Sequence, residues 1–498
     1  MSGIRVTYTG MILFMGGIIS LITGSIFSLI ITRTLSPEEY GFWGLIFSVV
    51  SYFTMLIPIF AYWATRETAR KSDSGKSSVL SSIGFSIIMS IIFISVSFLL
   101  TNQTGVNQND FLFAAILIPV IFLNGILSSI ALGYKPHVLS FSSISFGLVQ
   151  IPSVLFFVYF FDMGISGIIL SLLLAHISGI IILFINIHEK IKTGFDKKFL
   201  KKWLKLFWIP LYPSIYTILI ESTILIFTVI SGSIVGIAYW IASGVLASVV
   251  SPAGFISRAV YPKLLDGKEK DFLRDNLTYL FYFAILFTSL VITFARPGLF
   301  VLNPFYEKAV PIVIILAIEG FLTVLINVFQ QSLIGIEKID TIEHATYKDY
   351  IKSKLFYVSS LRLIQAVVYV LIFIILLIIL VPAKISDIDL LTYWATIAMV
   401  TQIPLIMFLA ILVKQNFTTP FDFKRISKYF ITSIIVSLIV YFVSEQFLIY
   451  SNNLYQFLPN LLPFVIFLIG LYCIITYTID SKIKILFNSI MCEIKNKI

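Results

Sequence analysis

The chain is 498 residues long, 58% hydrophobic and only 12% charged, with 35 Lys and Arg against 25 Asp and Glu for a formal net charge of +10. Soluble globular proteins are about 45–50% apolar and about 25% charged, so a soluble enzyme of this length is excluded, as is a disordered chain. Apolar stretches of more than twenty residues make it an all-α membrane protein, a helical bundle and not a barrel. A basic balance often marks a nucleic-acid binder. Here it has another source, because cytoplasmic loops collect Lys and Arg, and no nucleic-acid partner is expected.

Apolar windows of membrane-spanning length occur fourteen times, near residues 9–32, 42–64, 79–101, 111–132, 138–161, 165–188, 208–231, 233–256, 277–300, 310–334, 355–381, 390–413, 429–450 and 460–479. With the N-terminus in the cytoplasm, the segments on that side hold thirty Lys and Arg. The opposite side holds four: Arg33, Arg296, Lys308 and Lys384. This asymmetry predicts both termini on the cytoplasmic side and an even number of spans. The first apolar segment is too long for the core of a cleavable signal peptide. The predicted location is the cell membrane, multi-pass.

Between spans 6 and 7 lies FDKKFLKKWLKLFW (195–208). Phe195, Phe199, Trp203 and Phe207 recur every fourth residue, with Lys197, Lys198, Lys201, Lys202 and Lys205 between them. That pattern predicts a basic amphipathic helix on the inner leaflet, where each Lys near anionic lipid is worth about 1 kcal/mol. Its expected role is a structural anchor between two halves. Recruitment of substrate is the less favoured reading.

The halves echo one another. LSSIALGYK (127–135) closes span 4 and FQQSLIGIEK (329–338) closes span 10, each with a Gly and then a Lys. Tyr40-Gly41-Phe42-Trp43 opens span 2, and Ala238-Tyr239-Trp240 lies near the start of span 8. Spans 1–6 therefore repeat as 7–12 in the same orientation. This predicts two six-helix lobes related by a pseudo-twofold axis along the membrane normal, with a substrate path between them. The expected divisions are an N-terminal lobe (1–188), the basic linker (189–207), a C-terminal lobe (208–413), and two further spans with a cytoplasmic tail (414–498).

Ionisable residues inside spans are costly and are functional candidates by default. Glu221 in span 7 and Glu319 in span 10 are candidates to hold a coupling ion, Na+ or H+. A pairing of carboxylate with Arg362, in span 11, is the structural alternative. His176 in span 6 reads as a hydrogen-bonded packing residue. At the end of span 2, Trp63 is followed by Arg66, Glu67, Arg70 and Lys71, and span 8 runs out into Arg258 and Lys263. Arginine forks suit phosphate oxygens, which makes Arg66, Arg70 and Arg258 candidate phosphate ligands. Ordinary cytoplasmic flanks explain most of the other basic residues.

No catalytic arrangement is found, and no enzyme activity is expected. DSGKSS (73–78) mimics the end of a phosphate-binding loop, but position 70, where the first Gly would fall, is Arg70, and a membrane helix precedes it. The four histidines (His137, His176, His188 and His344) lack ligand spacing, and Cys473 and Cys492 form no motif, so neither a metal nor another cofactor is expected.

RTLSPEEYG (33–41) joins spans 1 and 2. Its Arg33, Leu35, Glu39, Tyr40 and Gly41 resemble the polysaccharide-transport branch of the multidrug/oligosaccharidyl-lipid/polysaccharide flippase superfamily. The Trp63 to Arg70 exit of span 2 and Tyr261-Pro262 after span 8 look like that family too. The resemblance implies fourteen helices and a cationic cavity that alternates between inward- and outward-open states. It also implies a flippase for polyprenyl-linked oligosaccharide, with membrane lipids and glycan-assembly enzymes as partners. Arg66, Arg70 and Arg258 then sit where relatives carry basic residues at the cavity mouth, and Arg362 joins the cavity set. Acidic residues in spans 7 and 10 resemble cation sites of some relatives. Two extra C-terminal helices serve superfamily peptidoglycan-precursor flippases as a lipid-tail groove. The alternatives are a cation-coupled exporter of drugs or small metabolites, disfavoured by the arginines and by a span 1 without an acidic residue, and a membrane glycosyltransferase or ligase, which would need a metal-binding loop.

Overall fold

The structure is a computed structural model. It describes residues 3–70, 72–105, 107–192, 194–259, 271–337, 349, 351–417 and 421–495. All of the regular elements among them are helices. Among the described residues thirteen helices are long and apolar enough to cross a membrane, or fourteen if one bent pair is taken as a span, so the chain is a multi-pass α-helical membrane protein. Lipid forces this: with no water to satisfy the backbone, each crossing segment must bond its own N–H and C=O groups.

Helix α1 covers Gly3–Thr34. The bent pair is α2 (Pro37–Thr54) and α3 (Pro58–Ala69), with 52° between them. The single straight span expected near 42–64 is thus longer and broken, because Pro58 supplies no N–H to continue α2. Ser36 caps α2 in a reciprocal box with Glu39, and Pro37 fills the first turn.

Next come α4 (Gly75–Thr104), α5 (Gln108–Ala114), α6 (Leu117–Tyr134), α7 (Val138–Val154) and α8 (Gly164–Ile191). Pro152 lies in the last turn of α7, and the chain continues as a π-helix over Leu155–Phe160. The linker forms α9 over Lys197–Lys205, shorter than the 195–208 pattern. The seventh span opens with α10 (Trp208–Leu211) and a 3₁₀ turn through Pro213, then continues as α11 (Ile215–Ser231). Gly232, at φ 70°, ends it in the left-handed conformation that glycine adopts without strain. Helix α12 covers Ile234–Ala247 and passes into a 3₁₀ stretch, Ser248–Ala259.

The remainder is α13 (Asp271–Thr293), α14 (Ala295–Leu302), α15 (Val310–Gly335), α16 (Lys354–Leu380), α17 (Asp387–Asn416), α18 (Phe423–Phe447), α19 (Leu454–Ile479) and α20 (Ser481–Lys495).

Packing groups the chain into two compact units, Met1–Ile241 with Ser359–Ile397, and Ala242–Val358 with Ala398–Ile498. In the first, α2 meets α12 at glycines. A Cβ on Gly41 would overlap the Ile234 carbonyl, and one on Gly44 would overlap the Ile241 side chain. Small residues let membrane helices approach where no hydrophobic force drives them together. Gly16 and Gly147 do the same between α1 and α7, against Ser140 and Thr23.

In the second unit, Tyr282 on α13 packs edge-on to Tyr429 on α18 and beside Tyr472 on α19, at 5.3 and 5.1 Å between ring centroids. Its hydroxyl pairs with Thr476 at 3.1 Å, and Tyr472 donates to the Tyr282 carbonyl at 3.2 Å. Tyr429 donates to the buried carboxylate of Asp480, which Arg425 approaches at 3.6 Å. The last two spans are thereby fixed to α13 by hydrogen bonds as well as by apolar contact.

Candidate functional site

The best-built polar site of the first unit lies where α3 ends. Here α3, α4, α6, α8 and α9 surround one apolar cluster containing Phe60, Trp63, Ile130, Ile187 and Trp203. Asp196 caps α9 by accepting from Lys198 N at 2.8 Å, and its own N–H donates to Ser77 Oγ at 2.9 Å. Those two bonds set the register of α9. Trp203 is completely buried and stacks on Phe199 at 5.6 Å. Trp203 is therefore packed on protein, while Phe195 and Phe207 of the same pattern stay exposed, as do Lys197, Lys198, Lys201 and Lys205.

Lys202 follows from that register. Its ammonium donates to Glu67 Oε1 at 2.8 Å and lies 5.8 Å from the Trp63 ring centroid. Glu67, on the last turn of α3, is buried, and Ser72 Oγ donates to its other oxygen at 3.1 Å. Beside it, the Arg66 guanidinium rests over the Tyr62 ring at 4.6 Å. Arg70 is the C-cap of α3, its backbone N–H donating to the Arg66 carbonyl at 3.0 Å, and its exposed side chain makes no hydrogen bond or ion pair to another described residue. Arg66 and Arg70 thus stand one turn apart at the end of α3. The Arg258 side chain, Lys71, Tyr261, Pro262 and Lys263 lie outside the described residues.

The motif residues of 33–41 take mostly structural places. Glu39 accepts from Ser36 N and Oγ, both at 2.9 Å, while its own N–H donates to Ser36 Oγ at 3.2 Å. Tyr40 is buried, and Gly41 permits the close approach to α12. Arg33 is half-buried at the end of α1.

Deeper in the first unit, Arg362 on α16 lies over the ring of Tyr216 on α11, 4.0 Å from its centroid. One turn earlier, the Tyr212 hydroxyl pairs with Ser360 Oγ at 2.6 Å. Glu221 is half-buried on α11, within electrostatic reach of the Tyr52 hydroxyl on α2. No ion pair joins Glu221 to Arg362 or to another described residue. His176 pairs with Asn124 at 2.9 Å and packs on Phe146 at 4.9 Å, a hydrogen-bonded packing residue as expected.

In the second unit, the Glu319 carboxylate accepts from the Gln402 amide and from Thr323 Oγ1, the latter at 2.9 Å. Thr323 Oγ1 also lies 3.1 Å from the Gln402 carbonyl oxygen. Glu221 and Glu319 fall in different compact units. The sequence reading missed Gln402, Thr323 and the Lys202–Glu67 link. A polar residue inside span 12 was the available signal for Gln402. Nothing local marks a pair 135 positions apart. Among the described residues no group of three His, Cys, Asp or Glu is placed to hold a metal.

No protein-family model matches this sequence, and no curated protein matches it either. Against solved structures, the fold is that of transporters of the MOP superfamily. An inward-facing multidrug resistance MATE family transporter of that superfamily aligns at a TM-score of 0.59 and 12% identity, covering 80% of this chain and 95% of that one. The lipid II flippase MurJ, in an inward closed conformation, aligns at a TM-score of 0.58 and 18% identity, covering 94% of this chain and 99% of that one. A MOP superfamily transporter from Pyrococcus furiosus, whose binding pocket is described as having reverse polarity, aligns at 0.54 and 13% identity, over 82% and 95% of the two chains. The likeness is one of architecture.

Proposed function

We propose that this protein is a flippase that moves polyprenyl-phosphate- or pyrophosphate-linked oligosaccharide from the cytoplasmic to the outer leaflet by alternating access. The observation that carries this reading is the extent of the fold match. The lipid II flippase covers 94% of the chain, whereas the multidrug transporter covers 80%. The arginine pair at the end of α3 supports it, since an exporter of soluble cations calls for a negative cavity. The reverse-polarity pocket reported for the P. furiosus transporter is a precedent for a change of sign on this scaffold.

The cargo explains the need for a protein. A glycan hydroxyl moved into hydrocarbon without a partner costs about 4–8 kcal/mol. Several sugars and a phosphate do not cross unaided. A polar path through the bundle removes most of that cost while the polyprenyl tail stays in lipid. With the N-terminus cytoplasmic, Arg66, Arg70 and Arg258 meet the phosphate at the inner mouth, Arg362 stands deeper in the path, and the two six-helix lobes rock about it. The potential assists: each negative charge moved outward gains about 2.3 kcal/mol per 100 mV, inside negative. Glu319, with Gln402 and Thr323 around it, and Glu221 are the candidate groups for Na+ or H+ coupling. They also keep the second reading in view, a cation-coupled exporter of drugs or small metabolites.

The test is reconstitution into liposomes that hold a labelled polyprenyl-phosphate-linked oligosaccharide, with movement between leaflets as the readout. Wild type is run beside a variant with Arg66, Arg70 and Arg258 changed to Ala. Transfer by wild type and its loss in the variant are expected. Transfer by both retains the flippase and removes the arginines from phosphate binding. Absence of transfer by folded wild type, together with efflux of a soluble cation, moves the reading to the exporter.

A further inference from the structure

We infer that Lys202 of the linker helix is a positioning residue that holds Glu67 away from Arg70 and so keeps the Arg70 guanidinium open for an anionic phosphate group. The inference rests on the phosphate-binding role proposed above for Arg70, and it assigns that site a control element on a different part of the chain.

The reasoning begins on α3. Glu67 and Arg70 are three positions apart, so their side chains share one helix face and an acidic–basic pair there is placed to interact. In this protein it does not. Glu67 is claimed by Lys202 at 2.8 Å and by Ser72 Oγ at 3.1 Å. The Arg70 side chain is exposed and pairs with no other described residue.

The asymmetry of the bridge matters. The Glu67 side chain keeps 11% of its exposure and the Lys202 side chain 48%. A carboxylate so sheltered does not stand alone, because an unpaired charge away from water is costly. Remove the ammonium, and the exposed Arg70 guanidinium, three positions along the same helix, is a mobile cation free to take its place. Capture of Arg70 by Glu67 would occupy its fork with a carboxylate, the competitor that resembles phosphate most closely.

Lys202 does not reach Glu67 by chance of rotamer alone. The neighbouring Trp203 is fully buried in the cluster that also holds Trp63, and the Asp196 cap and Ser77 hook set the start of α9. The linker therefore delivers one ammonium to one carboxylate. Its other lysines, Lys197, Lys198, Lys201 and Lys205, are exposed and form no ion pair with another described residue.

The experiment uses full-length protein in detergent micelles, with farnesyl pyrophosphate as probe and binding measured by calorimetry at fixed salt. Arg70→Ala is expected to weaken binding roughly ten- to 150-fold, the usual worth of a hydrogen bond to a charged group. Lys202→Met is expected to approach the same loss. Glu67→Gln added to Lys202→Met is expected to restore affinity to about the wild-type value, because the amide no longer competes for Arg70. Recovery by the second substitution is the decisive readout. A linker that merely undocked would stay impaired in the double variant, and protection of residues 192–207 from protease reports docking directly.

If Lys202→Met binds like wild type, or if Glu67→Gln does not restore the double variant, the inference fails while the role of Arg70 stands. If Arg70→Ala itself binds like wild type, the phosphate role of Arg70 fails and this inference falls with it.

Discussion

At the scale of single residues, the motif at 33–41 is occupied with holding helices in place. Glu39 was singled out with the motif at 33–41, and its carboxylate is spent on capping α2, where it satisfies the Ser36 N–H at 2.9 Å. Gly41 was singled out with it, and its value is the missing Cβ: any side-chain carbon there meets the Ile234 carbonyl. Alanine ordinarily improves a helix over glycine by about 1 kcal/mol. Here the clash falls on backbone, which has little room to move, so Gly41→Ala is expected to destabilise by about 1–3 kcal/mol in the manner of other overpacked contacts. A lowered thermal unfolding midpoint in detergent checks it, and an unchanged or raised midpoint would refute the close approach. The residues that touch charge are harder to read locally. Arg66 and Arg70 stand out by spacing alone, but the fate of Glu67 between them is settled by Lys202, 135 positions away.

At the scale of elements, breaks in helices follow from local chemistry. Pro58 separates α2 from α3 with a 52° bend, and Pro210 and Pro213 open the seventh span in short pieces before α11. The linker is where local pattern and environment part. An amphipathic basic helix reads the same whether its apolar face meets lipid or protein. Trp203 meets protein, buried in the cluster of α3, α6 and α8, while Phe195 and Phe207 of the same pattern stay exposed. Trp203→Ala is expected to cost about 3–5 kcal/mol, the range for deleting a large buried aromatic. Undocking of α9 would appear as faster proteolysis between residues 192 and 207. A linker cut no faster than in wild type would show that Trp203 is not what holds α9. The tyrosine and carboxylate contacts among α13, α18 and α19 are likewise pairings between distant segments, such as Tyr429 with Asp480, that no window of sequence displays.

At the scale of the whole molecule, the chain is a multi-pass membrane protein with, among its described residues, thirteen helices of crossing length and a bent pair that can count as a fourteenth. The proposed transport direction depends on which side holds the linker. With 30 of the 35 Lys and Arg placed on one side by an even number of spans, α9 is expected in the cytoplasm. In a background with both cysteines changed to Ser, a cysteine at Lys201 should react with a membrane-impermeant maleimide only after the membrane is opened. A cysteine at Lys384 should react in intact cells. The reverse pattern would invert the orientation and with it the direction proposed for the cargo.

Membrane residence, the number of crossing segments and most of their bounds were legible in the amino-acid order itself. Each depends on runs of about twenty apolar residues and on the charges between them, and these quantities are additive along the chain. Arg66 with Arg70, and the carboxylates Glu221 and Glu319, were legible for the same reason, since a charge in or beside an apolar run is conspicuous. What those groups touch was not. Gln402 on Glu319, Tyr216 under Arg362, Trp203 in the core and Lys202 on Glu67 are contacts between segments far apart in the chain. Only tertiary packing decided them, because a polar group inside a bundle takes the partner that geometry brings to it, and that geometry comes from the fit of small and large residues along every neighbouring helix.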